Sequence, residues 1–301
     1  MSDPTRHSLE QPLAKVNARW GQDRRLAFID FRLQWDGHIN RGDLTEFFGI
    51  SVPQASLDIA RYTAVAPQNL VYNRSSREYR TTENFQPISS ESQPQRYLSE
   101  LLGSATGILD SGGSFIGWSP PVESIPRPGR IVEAITLAAV LKAIREGTGL
   151  KIVYQSMSRP EPSPRIISPH AFANDGFRWH VRAYCHSRCE FLDFVLGRIL
   201  EVHEAEPVGK SPVEDTEWNK VLTLVLTSHP ELSNGKRRAI EMDYGMRNGE
   251  VELQCRQALL FYTLRSLGLG TRDTRPPEEQ QIILKNQSDI DLFYLTPSAV
   301  V

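Results

Sequence analysis

Between Arg178 and Phe191 the chain reads RWHVRAYCHSRCEF. Aromatic and β-branched residues dominate the first half, which predicts a strand followed by a turn. Side chains alternate across a strand, so His180, Arg182 and Tyr184 share one face while Trp179, Val181 and Ala183 take the other, the expected core face. A face of donors and cations suits phosphate or carboxylate, because a guanidinium offers a planar fork of N–H groups. Upstream, LKIVYQSM predicts a strand with Ile152, Tyr154 and Ser156 on one side. If Tyr154 and Ser156 converge with His180 and Arg182, the result is a concave cationic pocket whose aromatic groups can stack a base. Residues 151–200 carry seven Lys or Arg against four acids, with His170, His180 and His186 besides. A solvent-facing strand of ordinary polar residues has the same pattern, so both readings stand on the residues alone.

Other chemistry is weaker. Cys185 and Cys189 lie near His180 and His186, but alternation puts Cys185 and His186 on opposite faces and no second cysteine pair exists, so no metal is expected. DSGGS at Asp110–Ser114 is glycine-rich without the lysine and helix of a phosphate loop. No Ser-His-Asp order or carboxylate pair stands out. The chain is therefore not expected to be an enzyme, and no cofactor is expected.

A second constellation lies near the N-terminus. Leu26, Ile29 and Leu33 mark one face of a helix, and Leu44, Phe47 and Phe48 mark a short second helix ending at Gly49. Ser51 then opens a third helix, with Gln54 completing an S-x-x-Q capping box and Pro53 in the first turn. Ala55, Ile59 and Tyr62 form its inner face. NLVYNRSSREYRTTENF follows as a hairpin with NRSSR at its tip. This is the order of a winged helix-turn-helix, whose third helix enters the DNA major groove with its leading residues on base edges. The expected DNA contacts are Ser51, Gln54, Ser56, Leu57 and Arg61 on the helix, with Asn73, Arg74 and Arg77 on the hairpin. Gln pairs with adenine edges. Arg61 to Arg80 hold four Arg and one Glu, the local charge that phosphate contacts need.

These elements need a frame. The chain has 301 residues, 34 Lys plus Arg against 36 Asp plus Glu, and 40% hydrophobic residues. This is a globular composition with room for two or three domains, and it excludes a globally basic nucleic-acid binder but not a local basic patch. Three cysteines in no framework, the lack of an apolar leader and the lack of a run of about 20 apolar residues point to the cytoplasm, with no membrane partner. Polar or Gly/Ser/Pro-rich breaks at Gln86–Gln95, Asp110–Arg130 and Glu204–Thr216 read as linkers or long loops. They divide the chain into a winged helix at 1–90, a helical linker and loop at 91–130, a middle module at 131–205 and a C-terminal module at 206–301. The middle module begins with a helix whose inward face is Leu137, Val140, Leu141 and Ile144, followed by several short strands. The C-terminal module reads β-α-β-α-β, with Leu260, Leu264 and Leu267 on one helix face. Phe261 and Tyr262 widen its apolar surface, which predicts a dimer contact.

The middle module resembles the WYL domain in its Trp179, strand Tyr154, Pro169, Ala183-Tyr184, and Phe194 followed by Arg198-Ile199. INRGDLTEFFGISVPQASLDIARY with its hairpin, DTEWNKVLTLVL and AIEMDYGMRNGEVEL resemble the BrxR and CapW group of WYL transcriptional repressors associated with phage-defence islands. The resemblance implies an α+β multidomain fold with a winged helix-turn-helix, a central Sm/SH3-like β-barrel and a small C-terminal α/β sandwich. It implies a homodimer on an inverted-repeat operator of double-stranded DNA. It also implies a nucleotide or oligonucleotide effector held by Tyr154, Ser156, His170, His180, Arg182, Tyr184, Arg188 and Arg198. The family often carries an Arg where this chain has Leu192. The alternatives are a constitutive DNA-binding dimer with no sensing, or an enzyme acting on nucleotides.

Overall fold

The computed structural model describes residues 10–204, 210–269 and 275–293, with side chains from residue 21 onward except that of Ser111. Two compact units emerge, 1–127 and 128–301.

In the first unit, α1 (Glu10–Trp35) leads through β1 (His38–Ile39) to α2 (Arg41–Phe48) and α3 (Val52–Val65). A hairpin of β2 (Leu70–Asn73) and β3 (Glu78–Thr81) follows, then α4 (Pro94–Ala105). The wing is three-stranded in the order β1-β3-β2. Its core joins Phe28, Ile29, Phe31 and Leu33 of α1 to Leu44 of α2 and Ala55, Ile59 and Tyr62 of α3. Each such large apolar side chain contributes about 1.5–3 kcal/mol on burial. The core also takes in Phe115, which meets Phe28 edge-on at 5.2 Å.

Gly49 ends α2 at φ 63, the left-handed conformation that lets the chain turn into α3. Gly49→Ala is expected to cost about 1 kcal/mol, since no neighbour lies near the added methyl and only the backbone resists. Urea unfolding would measure it.

The capping box expected at Ser51 is half formed. Ser51 Oγ accepts from Gln54 N at 3.4 Å, but the Gln54 side chain turns to Asp58 instead. The closed box sits one helix earlier, where Asn40 and Asp43 cap α2 reciprocally.

A buried carboxylate ties this unit together. Asp30 of α1 accepts from Tyr62 Oη at 2.5 Å, Ser92 Oγ at 2.6 Å, Ile88 N at 3.2 Å and Ser89 N at 3.1 Å. Burial, with Asp30 beside it, pushes the Tyr62 hydroxyl well above the ordinary tyrosine range.

In the second unit α5 (Ala134–Glu146) packs on a five-stranded antiparallel sheet. Its strands are β4 (Leu150–Tyr154), β5 (Ser163–Asn174), β6 (Trp179–Cys185), β7 (Glu190–Val195) and β8 (Ile199–Glu204). The order β7-β6-β5-β4-β8 leaves β7 and β8 as edges, so strand pairing makes an open sheet where a barrel was expected. α5 buries Thr136, Val140 and Ala143, while Leu137 and Leu141 of the expected inner face stand 38% and 50% exposed. Trp179, also expected inside, is 53% exposed, though Val181 and Ala183 are in the core as expected.

The C-terminal elements are α6 (Thr216–Asn219), β9 (Val221–Ser228), α7 (Asn234–Asp243), β10 (Glu250–Arg256), α8 (Leu260–Ser266), β11 (Ile282–Leu284) and α9 (Gln287–Asp291). The sheet runs β10-β9-β11, and Leu222, Leu224 and Leu226 of β9 pack against Leu260 and Leu264 of α8. No helix among the described residues is long and apolar enough to cross a membrane.

Candidate DNA-binding and ligand sites

The leading end of α3 is open to solvent. Ser51, Val52 and Pro53 are exposed, Leu57 is 46% exposed, and Gln54, Ser56 and Arg61 are half-buried. Ser56 Oγ donates back to Val52 O at 3.0 Å. Two of the candidate DNA contacts share one buried carboxylate: Asp58 accepts from Gln54 Nε2 at 3.0 Å and Arg61 Nη1 at 3.3 Å. Arg25 of α1 reaches the same carboxylate at 2.6 Å. Asp58 thus fixes the rotamers of Gln54 and Arg61 and anchors α3 to α1. Sequence reading missed Arg25 and Asp58, although Gln54, Asp58 and Arg61 have the i, i+4 and i, i+3 spacing of helix-surface pairs.

On the hairpin, Asn73 Oδ1 accepts from Ser75 N at 2.9 Å and Ser76 N at 3.3 Å, folding the tip. Arg77 closes it in the left-handed region at φ 57. Arg74 and Arg77 are both exposed, and neither has a carboxylate partner among the described residues. Arg80 is paired with Glu78 at 2.6 Å.

The eight residues expected to form one ligand pocket are divided among several places. Arg182 is 1% exposed and saturated with acids. Its Nε and Nη2 donate to the two carboxylate oxygens of Asp215 at 2.7 and 3.0 Å. Nη2 also reaches Glu217 at 2.8 Å, and Nη1 reaches Asp193 at 3.3 Å. His170 Nε2 lies 2.9 Å from the same Asp215 oxygen that Arg182 Nε contacts. Burial opposes charge on Asp215, but His170, Arg182 and the Trp218 amide outweigh it and hold the carboxyl well below the usual range. Asp193 shows the reverse balance, with burial outweighing Arg182 and pushing its carboxyl up. The Arg182 face of β6 is therefore covered by a C-terminal segment with compensating charge, and the expectation of an open cationic face there is corrected.

His180 is fully buried, with Nε2 at 3.1 Å from Asp175 and its ring 4.9 Å from Tyr262. Tyr184 and His170 each pack edge-on against Phe191. Arg188 makes a long 3.7 Å contact to Glu190 on the surface. Ser156 is buried, with its hydroxyl 3.2 Å from that of Ser158. Tyr154 lies on the inner face of the sheet, among Val181, Ala183 and Phe194, so it does not converge with Arg182. Its hydroxyl accepts from Val195 N at 3.1 Å. Burial pushes that hydroxyl up, opposed by the Val195 amide and by the charges of Arg198 and Arg165.

Arg165, absent from the sequence expectations, is the more telling cation. It is 4% exposed, its Nη1 reaches Ser187 Oγ at 3.4 Å, and its Nε and Nη2 are buried without a partner among the described residues. A buried guanidinium with open N–H groups carries a desolvation penalty that an anion would offset. Leu192 is fully buried opposite Ala183. The position at which the family often carries Arg is therefore a core position here.

Comparison with known proteins follows the same divisions. Residues 21–103 match the BrxR transcriptional regulator winged helix-turn-helix domain, 135–204 the WYL domain, and 221–290 the BrxR transcriptional regulator C-terminal dimerization domain. The protein named DNA-binding transcriptional repressor CapW from Escherichia coli (strain KTE188) is 48% identical over 277 residues, 92% of this chain and 93% of that protein. This chain belongs to the BrxR and CapW family of WYL-domain transcriptional regulators. The proteins of the same name from Pseudomonas aeruginosa and Stenotrophomonas maltophilia are each 46% identical. The former match covers 96% of this chain and 98% of that protein, the latter 90% and 92%. The matches thus extend over α3, the five-stranded sheet and the C-terminal elements alike.

Proposed function

We propose that this family member is a cytoplasmic, homodimeric repressor that binds an inverted-repeat operator upstream of a phage-defence operon. The observation that carries this reading is the open leading end of α3 in the same compact unit as a hairpin tipped by two exposed arginines without carboxylate partners among the described residues. Two such helices in a two-fold dimer would enter major grooves one helical turn, or a multiple of it, apart. Gln54 reads a base edge after releasing Asp58, while Arg74 and Arg77 hold phosphates. Ser51, Ser56, Leu57, Arg61 and Asn73 complete the contact surface. The names of the relatives support the reading.

Binding of labelled upstream DNA across a salt series tests it. Gln54→Ala is expected to cost about 1–3 kcal/mol at its base pair, which is roughly five- to 150-fold in Kd. Arg74→Ala is expected to lower the salt slope by about 1 and to weaken all sequences alike. Unaltered affinity in the double variant would remove the DNA reading.

The finer reading is that the WYL sheet senses an anion, and its support is the unsatisfied guanidinium of Arg165 in the neighbourhood of Tyr154 and Arg198. An effector that binds one dimer geometry better than another would shift DNA affinity. The saturation of Arg182 by three carboxylates favours the rival in which the sheet is purely structural. Nucleotides or oligonucleotides that leave operator binding by the full-length wild type unchanged would establish that rival.

A further inference from the structure

A separate cavity of about 450 Å³ opens between the β5–β6 turn, α8 and the chain preceding α5. Its lining includes Arg130, Arg178, Arg265, Asp175, Phe177 and Tyr262. None of these was singled out as a ligand contact by sequence, and the cavity does not involve Arg165 or Arg198.

The charges do not cancel. Asp175 is fully engaged by the protein itself, accepting from Phe177 N and Arg178 N at 2.8 Å, Arg178 Nε at 3.1 Å and His180 Nε2 at 3.1 Å. Burial opposes its charge, but those bonds win and pull the carboxyl down to about 2. Asp175 therefore neutralises one arginine and fixes its direction. Arg130 and Arg265 are exposed, and neither has a carboxylate partner among the described residues. Two uncompensated guanidinium groups on one concavity concentrate anions there. The volume lies within the range of small-molecule sites. Phe177 is 65% exposed at the rim, an aromatic surface on which a base can stack.

We propose that this cavity binds a phosphate monoester, the terminal phosphate of a nucleotide, held by Arg130, Arg178 and Arg265 with its base against Phe177. A monoester carries a charge of about −1.5 to −2 at pH 7, which matches the excess. The wall of the cavity connects to the buried charge cluster: Tyr262 Oη donates to Asp193 at 3.1 Å, and Asp193 meets Arg182, which holds Asp215. An occupant pressing on Tyr262 thus contacts the chain of bonds joining the WYL sheet to the C-terminal module. Phosphate binding here stands or falls independently of the repressor reading.

Calorimetric titration of the full-length protein with AMP, adenosine and inorganic phosphate tests it. The expected result is one AMP per chain, with adenosine weaker by about tenfold or more because the charge-assisted bonds are lost. Arg130→Gln and Arg265→Gln should each weaken AMP and phosphate about fivefold or more. Both side chains are exposed and lack carboxylate partners among the described residues, so these variants should melt like the wild type. Phe177→Ala should weaken AMP and leave phosphate unchanged. A 5′-phosphorylated dinucleotide binding much more tightly than AMP would support the phosphate site and assign its source to a nucleic-acid end. AMP binding that is absent at millimolar concentration, or is equal in wild type and the arginine variants, overturns the proposal.

Discussion

Replacing Arg182 with methionine is expected to destabilise the second unit by about 3–5 kcal/mol at pH 7, because it removes the one guanidinium shared by three carboxylates and leaves those charges behind. The pH dependence makes the prediction specific. In the wild type the depressed carboxyl of Asp215 contributes stability that is complete above the ordinary carboxylate range. That stability is lost as pH falls below about 4. Without Arg182, burial dominates at both Asp193 and Asp215, their folded-state affinity for protons rises above that of the unfolded chain, and protonation relieves the repulsion. The deficit of the variant should therefore shrink between pH 7 and pH 5. Urea denaturation of both proteins at the two pH values measures it, and a deficit that grows toward pH 5 contradicts the charge account. Adding Asp215→Leu to the methionine variant should recover part of the loss, since an apolar replacement of both partners removes the uncompensated charge.

That cluster also shows where sequence reading stops. The alternation of His180, Arg182 and Tyr184 correctly separates them from Val181 and Ala183, because period-two patterning is local. It says nothing about what covers the face. The covering acids, Asp215 and Glu217, lie 33 and 35 positions away, the first inside a Pro- and Glu-rich stretch that reads as a linker. Arg165 was passed over for a similar reason: it follows a proline-rich loop, and only tertiary packing makes it a buried cation. Trp179 was assigned inward by period, yet it is the first residue of its strand, where the neighbours that would bury it run out. The helix expected to turn Leu137 and Leu141 inward buries Thr136, Val140 and Ala143 instead, a rotation of about one residue, 100°, which an apolar helix with no strongly polar stripe leaves undetermined. By contrast, the winged helix was legible because several local signals agree. Gly49 takes the left-handed turn, Ser51 caps, Pro53 sits in the first turn, and Ala55, Ile59 and Tyr62 fall on one buried face. Consistency across levels is what makes a segment readable.

Asp30→Asn should be as damaging as Asp30→Ala, which runs against its conservative chemistry. All four partners of Asp30 are donors: two hydroxyls, from Tyr62 and Ser92, and two backbone amides, from Ile88 and Ser89. Only a group that accepts on both oxygens satisfies them. Asparagine keeps one acceptor and brings an NH2 against donors. Alanine leaves every donor open, each worth about 1–3 kcal/mol when buried without a partner. Partial relaxation leaves an expected loss of about 3–5 kcal/mol for either variant, comparable to breaking a buried ion pair. Asn69 Nδ2 already donates to the Tyr62 hydroxyl at 3.0 Å and cannot accept its proton, so Tyr62 shares the penalty with the amides of Ile88 and Ser89 and the Ser92 hydroxyl. Ile88, Ser89 and Ser92 lie on the segment that leads from the hairpin to α4, so its amide hydrogen exchange should rise first, before that of Ile59 or Leu44. Asp30 is remote in sequence from the leading end of α3 and acts only by holding α1, α3 and this segment together. Operator affinity per folded molecule should therefore match wild type well below the melting midpoint. If Asp30→Asn instead retained full stability, the carboxylate would not be the hub that the four distances describe, and the placement of α3 on α1 would rest on Asp58 and the apolar core alone.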